Sequence, residues 1–474
     1  MKIYNTLSRE KEEFIPIEPG KVKMYACGPT VYNYFHLGNA RPFVTFDTLR
    51  RYLEYRGFQV EFCQNFTDID DKMIRRANEE GITIKELADR FIKEYYVDAE
   101  KLGVLRPTYQ PRATETIDEI IVLIQTLIDK GFAYSGDDGI YYDVSKFPTY
   151  GKLSHFKLED LEAGAGERGV SSEGKRNPGD FALWKNKKEG EPSWQAPWGE
   201  GRPGWHIECS AMIGKFLGPT IDIHGGGQDL IFPHHENEIA QSEAANGDPF
   251  VHYWMHNAFV NVDNEKMSKS LGNFFTVRDI VARFPYEVIR FFILSGHYRM
   301  PINFSDEPLI SAKNGLERIE TALENARFAL AHEKETPFVS NDEQDAQLRA
   351  ATTAAKASFI ESMDDDMNTA DAITAVYSLV RVINTHVNEK DVSSETMNDA
   401  INMIVELMNV LGIDINSILE AKNGIPDDVM ALVNARVEAK KNKDFSKADE
   451  LRNQVTAMGY QIKDTAQGPQ VTKL

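Results

Sequence analysis

The sequence predicts an α/β fold with a parallel sheet, followed by an all-helical region and a small C-terminal module. Three observations support this prediction. Strand-like and helical apolar runs alternate up to about Asp306, helical spacing alone continues from there to about Leu419, and a Lys-rich helical stretch follows Pro426. At 474 residues the chain has the length of roughly three domains.

The first two strand and helix pairs are predicted between residue 21 and Gly81. Residues 21–30 are strand-like and lead into a Gly-Pro turn, and the helical spacing after them ends at Gly57. Residues 58–68 are strand-like again, and DDKMIRRANEEG is a helix closed by Gly81. This order is typical of a parallel α/β sheet.

The sheet pattern is interrupted once and then resumes. Residues 106–204 hold short mixed elements rich in Gly, Pro and Trp, and are predicted to be an insertion between two halves of the sheet domain. Residues 220–227 and 251–262 are predicted strands, and helices are predicted from near His234 and from Val277.

The remainder of the chain is predicted to form two further domains. Residues 306–420 have the apolar spacing of a helical bundle, interrupted by two polar linkers. Residues 421–474 contain a basic helix, a polar break at KDFSKADE, a second helix and a short tail. The predicted domains are therefore 1–305, 306–420 and 421–474.

Composition excludes several classes of protein. Hydrophobic residues make up 42% and charged residues 27%, which is ordinary for a folded protein. No run approaches the roughly 18 apolar residues of a spanning helix, and the start lacks a secretory signal. Three scattered cysteines cannot build a disulfide framework, which suits a reducing compartment. The sequence predicts a cytoplasmic protein with no membrane partner.

The net charge of −20 argues against a nucleic-acid partner, because Lys and Arg supply most of the affinity for phosphates. A Lys-rich helix is also commonly just a solvated face. Positive charge is nevertheless clustered near the C-terminus, so the total charge leaves such a partner open. The basic cluster consists of Arg436, Lys440, Lys441, Lys443, Lys447 and Arg452.

The string HLGN, from His36 to Asn39, lies between the first predicted strand and its helix. A helix N-terminus offers free N–H groups, Gly38 permits close approach, and an imidazole can donate to a phosphate, so ATP fits this position. Ordinary helix capping is the alternative interpretation of the same four residues.

The string KMSKS, from Lys266 to Ser270, lies on a predicted loop after the last strand. The amines of Lys266 and Lys269 and the hydroxyls of Ser268 and Ser270 could bind a triphosphate. The alternative is a solvated polar loop. Because HLGN and KMSKS bracket one sheet, two halves of a single ATP site are the simpler explanation.

A third group of residues offers metal donors. Cys27 ends the first strand, Cys209 lies in GWHIECSAM, and His234 and Glu238 share one helical face in PHHENE. Thiolates, imidazole and carboxylate form a plausible zinc set, whereas two buried cysteines beside a polar helix are the alternative. The acidic run Asp68, Asp70 and Asp71 could bind magnesium, but helix capping and orientation of Thr67 are favoured.

Longer strings resemble the cysteinyl-tRNA synthetases, a family of class I aminoacyl-tRNA synthetases. ACGPTVY, TDIDDK, GWHIECSAM, HGGGQDLIFPHHENE and KMSKS occur here in the family's order. The resemblance covers residues 4–304 and extends more loosely to the C-terminus. It implies a Rossmann-type catalytic domain with an insertion, a helical bundle and an anticodon-binding module.

The resemblance also implies roles for individual residues. It implies one zinc ion per chain, bound by Cys27, Cys209, His234 and Glu238 and joined by the substrate thiolate. Zinc prefers sulfur to a serine hydroxyl, so no editing domain is expected. Positions that match contacts to the amino acid are Gly28, Thr67, Trp205 and His224. Positions that match the ATP site are His36, Gly38, Asn39, Asp229, Lys266, Ser268 and Lys269. Cys63 matches no ligand position and is predicted to be a strand residue.

Two positions depart from the family pattern. Asn39 stands where many members have a second His; an amide still donates a hydrogen bond but carries no charge. The tail DTAQGPQVTK lacks a Trp that relatives often place after the Gly, so the expected base stacking in the anticodon contact is missing.

The resemblance implies magnesium-dependent activation of L-cysteine by ATP to cysteinyl-adenylate, followed by transfer to the 3′-terminal ribose of tRNA for cysteine, by a monomer. His36, Asn39, Lys266 and Lys269 are expected to act in catalysis through alignment and charge stabilisation. The rival functions are a ligase that joins cysteine to an aminosugar and a non-catalytic RNA-binding protein.

Overall fold

The computed structural model of the chain describes residues 1–156, 175–262, 265–266, 275–423, 426–465 and 468–473. It forms two compact units, Met1–Ala312 with Ser362–Ala370, and Lys313–Glu361 with Asp371–Leu474. The strands of the first unit are β1 Lys2–Asn5, β2 Glu10–Glu13, β3 Lys21–Ala26, β4 Gln59–Gln64, β5 Ala133–Ser135, β6 Gly139–Tyr142, β7 Phe181–Asn186, β8 Gly201–Pro203, β9 Ile221–Gly227, β10 Val251–Asn257, β11 Val260–Val262, β12 Glu265–Lys266 and β13 Ile302–Phe304.

The helices of the first unit surround these strands. They are α1 Leu37–Tyr55, α2 Asp71–Glu80, α3 Ile84–Lys101, α4 Ile117–Asp129, α5 Trp205–Phe216, α6 Glu236–Asn246, α7 Val277–Val281 and α8 Tyr286–Leu294. α2 ends at Gly81, whose φ of 66° is the left-handed conformation that glycine adopts without strain. The predicted end of this helix is confirmed.

The central sheet has the strand order β10-β9-β3-β4, and each pair of adjacent strands is parallel. β3 and β9 are buried along most of their length, as expected for parallel strands covered on both faces. The chain passes from β3 to β4 on one side, and β9 then adds to the other side of β3. The carboxyl ends of β3 and β9 therefore form a switch point, where open α/β sheets bind ligands.

Between β4 and β9 the chain forms α4 and a four-stranded antiparallel sheet of order β5-β6-β7-β8. Ile120, Ile124 and Leu127 of α4 join the same hydrophobic core as Tyr25 of β3 and Cys63 of β4. The strand assignment of Cys63 is thus confirmed. The inserted elements extend the core of the central sheet.

The prediction of one continuous strand over residues 251–262 is wrong. It divides into β10 of the central sheet and β11, which pairs with β12 and β13. Between them the buried guanidinium of Arg41, on α1, donates 2.8 and 2.7 Å hydrogen bonds to the carbonyl oxygens of Ala258 and Phe259. Because these two carbonyls accept hydrogen bonds from a side chain, they are not available to a neighbouring strand. The backbone hydrogen bonds of the central sheet therefore end before Ala258.

The second unit is built from helices and one hairpin. Its elements are α9 Asp306–Ala331, which starts in the first unit, α10 Asp342–Asp364, which ends in the first unit, α11 Thr369–Glu389, which starts in the first unit, α12 Ser394–Val410, α13 Ile415–Asn423, α14 Asp427–Lys441, α15 Phe445–Ala457, β14 Tyr460–Thr465 and β15 Gly468–Lys473. The helical region is confirmed.

The prediction of an unstructured short tail after the second helix of this module is wrong, because these residues form the antiparallel hairpin of β14 and β15. Tyr460, Ile462 and Val471 are buried with Val429 and Val433 of α14. The alternation of Tyr460 and Ile462 with polar residues is the period of a strand that packs one face on a helix.

In the described part of the chain, no single helix is long and apolar enough to cross a membrane. The two helices Ser394–Val410 and Ile415–Ala421 together have the length and composition of a membrane span, but they are bent by 104° relative to each other.

Candidate active site and metal centre

The site is centred on the carboxyl ends of β3 and β9. Directly after β3, the N–H of Cys27 donates a 3.2 Å hydrogen bond to the carbonyl of Gly225 in β9. The next residue must be glycine, because a Cβ on Gly28 would lie 1.6 Å from the carbonyl oxygen of Asn65. The Gly28 N–H donates to the Asn65 side chain at 2.9 Å. This close approach fixes the direction in which Cys27 leaves the sheet.

The structure brings together all four residues of the predicted zinc set. The donor atoms of Cys27, Cys209, His234 and Glu238 all lie within 4.8 Å of one another. Measured separations are 3.6 Å from Cys209 Sγ to His234 Nε2, 3.9 Å from Cys27 Sγ to Glu238 Oε1, and 3.0 Å from His234 Nε2 to Glu238 Oε1. Usual zinc bond lengths give tetrahedral edges of about 3.3–3.8 Å, so the cluster fits zinc.

Three elements position these donors. Cys209 is on α5, Glu238 is on α6, and His234 is in the irregular turn at Ile231–His235 that precedes α6. His234 and Glu238 are in contact across their four-residue step, as the sequence predicts. Both are almost fully buried, at 2% and 0% exposure. Two such buried polar groups would be costly without a partner.

A second possible donor set overlaps the first. It consists of Cys27, His224, His235 and Glu238, whose donor atoms also lie within 4.8 Å of one another. His224 Nε2 is 2.8 Å from Glu238 Oε2, the oxygen that His234 does not contact, so it is placed to orient the carboxylate. The first set has two sulfurs and suits zinc better.

The charges of the first set are matched to a cation. The hydrogen bond that the Cys27 thiol donates to Cys209 lowers the pKa of Cys209 to about 6. The neighbouring His234 also lowers this pKa, and together they outweigh the effect of burial. Burial, reinforced by Cys209 and Glu238, raises the pKa of Cys27 well above its usual value. Burial opposes the charge of Glu238, but His224 and His234 outweigh it and lower its pKa to about 2. A thiolate and a carboxylate therefore meet at this cluster.

His234 completes the charge pattern. Burial alone would lower its pKa, but Glu238 and Cys209 outweigh burial and raise the pKa of His234 to about 10. The proton on this imidazole occupies the position that a metal cation would take, because metal ligation requires a deprotonated nitrogen.

Sequence reasoning missed a shell of histidines around these donors. His206 Nδ1 lies 2.9 Å from His234 Nδ1, His235 Nε2 lies 3.2 Å from Cys27 Sγ, and His235 Nδ1 lies 2.8 Å from His256 Nε2. Two of these histidines lie inside strings that carry the ligands, GWHIECSAM and PHHENE, and this was the signal available in the sequence. His256 belongs to β10 and gave no such signal.

His256 should make the stability of the first unit sensitive to acid. Burial, with His224 nearby, lowers its pKa to about 3, whereas an unfolded histidine titrates near 6.5. Between these values only the unfolded chain takes up the proton, so the free energy of unfolding falls as the pH falls. We compare the free energy of unfolding of the wild type with that of His256→Gln. We expect the difference between them to shift against the wild type by about 1.4 kcal/mol when the pH is lowered from 7.5 to 5.5.

Hydrogen exchange of the β10 amides at the two pH values measures this difference. His252→Gln, at an exposed position of the same strand, is the matched control and should keep the wild-type pH dependence. Parallel pH dependences for His256→Gln and the wild type would contradict the prediction.

Of the predicted cysteine-pocket residues, Gly28 directly follows Cys27, and Trp205 and His224 contact members of the cluster. The Trp205 ring stacks on His234 with 4.3 Å between centroids and is 45% exposed, so it lies at the solvent side of the cluster. His224 is fully buried and stacks on Trp254. The Thr67 hydroxyl accepts a 3.2 Å hydrogen bond from the buried Asn65 side chain. Their contact with an amino acid stays a prediction.

HLGN lies at the start of α1, where His36 is the N-cap residue with extended backbone angles. His36 holds the N-cap position, as the alternative of ordinary capping predicts, but its side chain makes no hydrogen bond that caps the helix. Gly38 and Asn39 occupy the first turn and are half-buried. At the N-terminus of this 19-residue helix the N–H of Leu37 donates to the Phe275 carbonyl and that of Asn39 to the His36 carbonyl, so the positive dipole is what favours an anion there.

The two predicted halves of the ATP site are linked through the backbone. His36 forms an isolated antiparallel bridge with Thr276, which follows the KMSKSLGN string closely. Lys266 ends β12, and only its backbone is described. Ser268 and Lys269 lie outside the described residues. Asp229 is exposed, and a Cβ on Gly227 would lie 2.4 Å from its carboxylate, so glycine leaves room for this side chain.

The acidic run after β4 has structural partners. Asp70 caps α2 by accepting a 2.7 Å hydrogen bond from the N–H of Met73, so the predicted capping is confirmed. Asp68 accepts from Thr114, and Asp71 pairs with Arg202 and Lys185. The prediction that this acidic run orients Thr67 is wrong for the Thr67 hydroxyl, because the hydroxyl is bonded to the Asn65 amide instead.

The basic cluster predicted near the C-terminus is largely neutralised. The buried guanidinium of Arg436 donates two 2.8 Å hydrogen bonds to the carboxylate of Asp464, and Lys440 pairs with the same carboxylate. Lys441 pairs with Glu438, and Lys447 with Glu450. Only part of the cluster's charge is available to a polyanion.

Three family models match successive parts of the chain. The model described as tRNA synthetases class I (C) catalytic domain matches residues 13–314. A DALR domain matches residues 358–416, and the Cysteinyl-tRNA ligase anticodon binding domain matches residues 422–471.

The chain is similar along its whole length to curated proteins named cysteine–tRNA ligase. It is 55% identical over 474 residues to the protein of Caldicellulosiruptor saccharolyticus, covering 100% of both chains. It is 54% identical over 469 residues to the protein of Clostridioides difficile, covering 99% of each chain.

Solved structures share the fold at low sequence identity. Methionyl-tRNA synthetase of Mycobacterium tuberculosis in complex with methionyl-adenylate has a TM-score of 0.62 at 15% identity, over 84% of this chain and 93% of that chain. The Agrobacterium radiobacter K84 agnB2 LeuRS, in a ternary complex with tRNA and LeuAMS, has a TM-score of 0.61 at 13% identity, over 86% of each chain. The predicted Rossmann-type α/β fold with a helical C-terminal region is confirmed.

Proposed function

Since the chain belongs to the cysteinyl-tRNA synthetase family of class I aminoacyl-tRNA synthetases, we propose that Cys27, Cys209, His234 and Glu238 bind one zinc ion that recognises the thiol of L-cysteine. The chain catalyses the ATP-dependent attachment of cysteine to tRNA. The observation that carries the zinc proposal is the meeting of two sulfurs, one imidazole nitrogen and one carboxylate oxygen within 4.8 Å.

Selectivity for cysteine follows from the donor set. Zinc bound there supplies a soft Lewis acid that prefers sulfur to oxygen and favours a thiolate. The protein's part is to exclude water and to fix the donors: His224 orients the Glu238 carboxylate, and the Trp205 ring covers His234. Serine offers an oxygen where zinc prefers a sulfur, so the enzyme can discriminate against serine without a second, editing site.

Activation requires alignment and charge stabilisation. The cysteine carboxylate attacks the α-phosphate of ATP, and the bond to pyrophosphate breaks, giving cysteinyl-adenylate. The N-terminus of α1, with His36, Gly38 and Asn39, offers its positive dipole to the phosphates. Lys266, Ser268 and Lys269 complete the phosphate contacts, Asp229 lies near the ribose, and magnesium enters with ATP.

Transfer moves cysteine from the adenylate to the 3′-terminal ribose of tRNA for cysteine, and AMP leaves. Residues 421–474 serve as the anticodon-binding module, after a catalytic domain at 1–305 and a helical bundle at 306–420. The match of residues 422–471 to an anticodon binding domain supports this division over the aminosugar ligase alternative. The enzyme acts as a monomer in the cytoplasm, where three unpaired cysteines stay reduced.

Charging of purified tRNA with labelled cysteine tests the proposal. The zinc-loaded protein is assayed with magnesium and ATP, with serine and no-tRNA controls. We expect product only with cysteine and only with tRNA. Adenylate without transfer would indicate the aminosugar ligase, and no adenylate would indicate a binding protein.

A further inference from the structure

A cavity of about 400 Å³ lies in the first compact unit, beside the two helices that carry donors of the zinc cluster. Its walls come mainly from α4, α5 and α6. Ser210, which follows the donor Cys209, lines it, and so does Ser242, one helical turn after the donor Glu238. Its volume is within the range of sites that hold a small ligand, about 300–1,000 Å³. Among the described residues, none assigned to zinc, ATP or cysteine lines it.

A buried serine hydroxyl in the wall of this cavity has no partner. Ser242 is 3% exposed, and within the described part of the chain its Oγ makes no hydrogen bond. A helical serine commonly donates to the carbonyl four residues earlier, here that of Glu238, but the Ser210 hydroxyl donates to this carbonyl at 3.4 Å. Burial of a hydroxyl without a hydrogen bond is unfavourable. The Ser242 hydroxyl is therefore available to a ligand in the cavity.

A glycine keeps the cavity open. Gly214 lies inside α5 and lines the cavity, and a Cβ added to it would meet no atom of its surroundings within 4 Å. Its φ is not in the left-handed region, so neither conformation nor close packing requires glycine at this position. Glycine is unfavourable inside a helix. This residue thus lowers the stability of α5 and leaves space that a ligand can fill.

The charges around the cavity select a cation. Glu119 pairs with Lys215 at 2.7 Å, so these two charges cancel. Asp118 is exposed on the same wall, and no ion pair to it is found among the residues that the structure describes. The last turns of α5 and α6 also line the cavity, and helix C-termini favour positive charge. Lys130 already uses one carbonyl there, that of Ala245, so the carboxylate of Asp118 is the negative group left to a ligand.

The rest of the lining is largely apolar and includes Val122, Leu123, Ala211, Pro219 and Phe250. An apolar lining with a few polar groups is the usual composition of a small-molecule site. A ligand that matches it needs an apolar body, one hydrogen-bonding group and a positive charge.

We propose that this cavity binds a small amphipathic amine. Its ammonium group pairs with Asp118, its apolar body covers Gly214, and its hydroxyl bonds to the Ser242 hydroxyl. The site is separate from the sites of the proposed function and does not depend on that function.

Calorimetric titration of the full-length protein with tyramine tests the proposal, because tyramine combines a primary ammonium, an aromatic ring and a hydroxyl. We expect a Kd of about 1 mM or below, unchanged by saturating cysteine or by a non-hydrolysable ATP analogue. Phenethylamine lacks the hydroxyl and should bind about fivefold more weakly. The analogue 3-(4-hydroxyphenyl)propionate carries a carboxylate instead of the ammonium and should not bind, because Asp118 repels it.

Three variants separate the contacts. Gly214→Leu fills the cavity, so we expect no tyramine binding and a Tm at or above that of the wild type. Ser242→Ala should weaken tyramine about fivefold and leave phenethylamine unchanged, with no fall in Tm, because the lost hydroxyl had no partner. Asp118→Asn should weaken both amines about threefold. Asp129→Asn, at an exposed position of α4 outside the cavity, is the matched control and should bind both like the wild type.

Absence of tyramine binding to the wild type, or its displacement by cysteine, would overturn the proposal. Wild-type affinity in a folded Gly214→Leu variant would also overturn it. If Gly214→Leu does not fold, Ser242→Ala decides alone: a lower Tm with unchanged tyramine affinity would show that the hydroxyl has an internal role. All variants should keep the wild-type rate of cysteine-dependent ATP–pyrophosphate exchange, so failure of the proposed function is measured separately.

Discussion

Cys209→Ala should abolish both zinc retention and cysteine activation. The substitution removes a sulfur that lies 3.6 Å from His234 Nε2 in the buried cluster. Loss of an outer-shell partner usually costs a metal site about 10- to 100-fold in affinity or activity, so loss of a direct ligand should cost more than about 100-fold. Metal analysis after dialysis and ATP–pyrophosphate exchange with cysteine measure the two effects.

Cys63→Ala is the matched control for this prediction. Cys63 is fully buried in β4 of the same sheet, but its sulfur is not among the donor atoms that meet at the cluster. We expect this variant to keep one zinc ion and to lose only some stability, because a small cavity forms in the core. Retention of zinc by Cys209→Ala, or its loss from Cys63→Ala, would contradict the assigned ligand set.

Lys269→Ala should reduce the rate of adenylate formation by about 100- to 1,000-fold, the usual effect of removing one preorganised group that stabilises transition-state charge. The prediction rests on the KMSKS string and on the bridge between His36 and Thr276, which brings the chain just after that string to the N-terminus of α1. The rate of cysteine-dependent ATP–pyrophosphate exchange measures the effect.

Stability separates this effect from unfolding. We expect the Tm of Lys269→Ala to match the wild type, because the sequence predicts a loop at KMSKS and substitutions outside a core usually change stability by less than about 0.5 kcal/mol. Lys188→Ala, at an exposed position of the insertion, is the control and should keep the wild-type exchange rate. Adenylate formation at the normal rate in Lys269→Ala would remove the role assigned to this lysine.

The sequence by itself determined the fold class and pointed to the four residues whose possible donor atoms meet at the cluster. Alternating strand and helix periods predicted a parallel sheet, Gly81 and Asp70 marked the ends of α2, and long motif strings indicated Cys27, Cys209, His234 and Glu238. These features could be predicted because periodicity, capping and motif spacing are local properties of the chain.

Only the tertiary structure decided features that depend on contacts between distant segments. The guanidinium of Arg41 ends β10 by binding carbonyls far along the chain, and Asp464 neutralises Arg436, which composition alone counted as free charge. His256 approaches the cluster because β10 lies beside β9 in the sheet. No local pattern encodes such pairings, because they are set by strand order and packing, which bring together residues that the sequence keeps far apart.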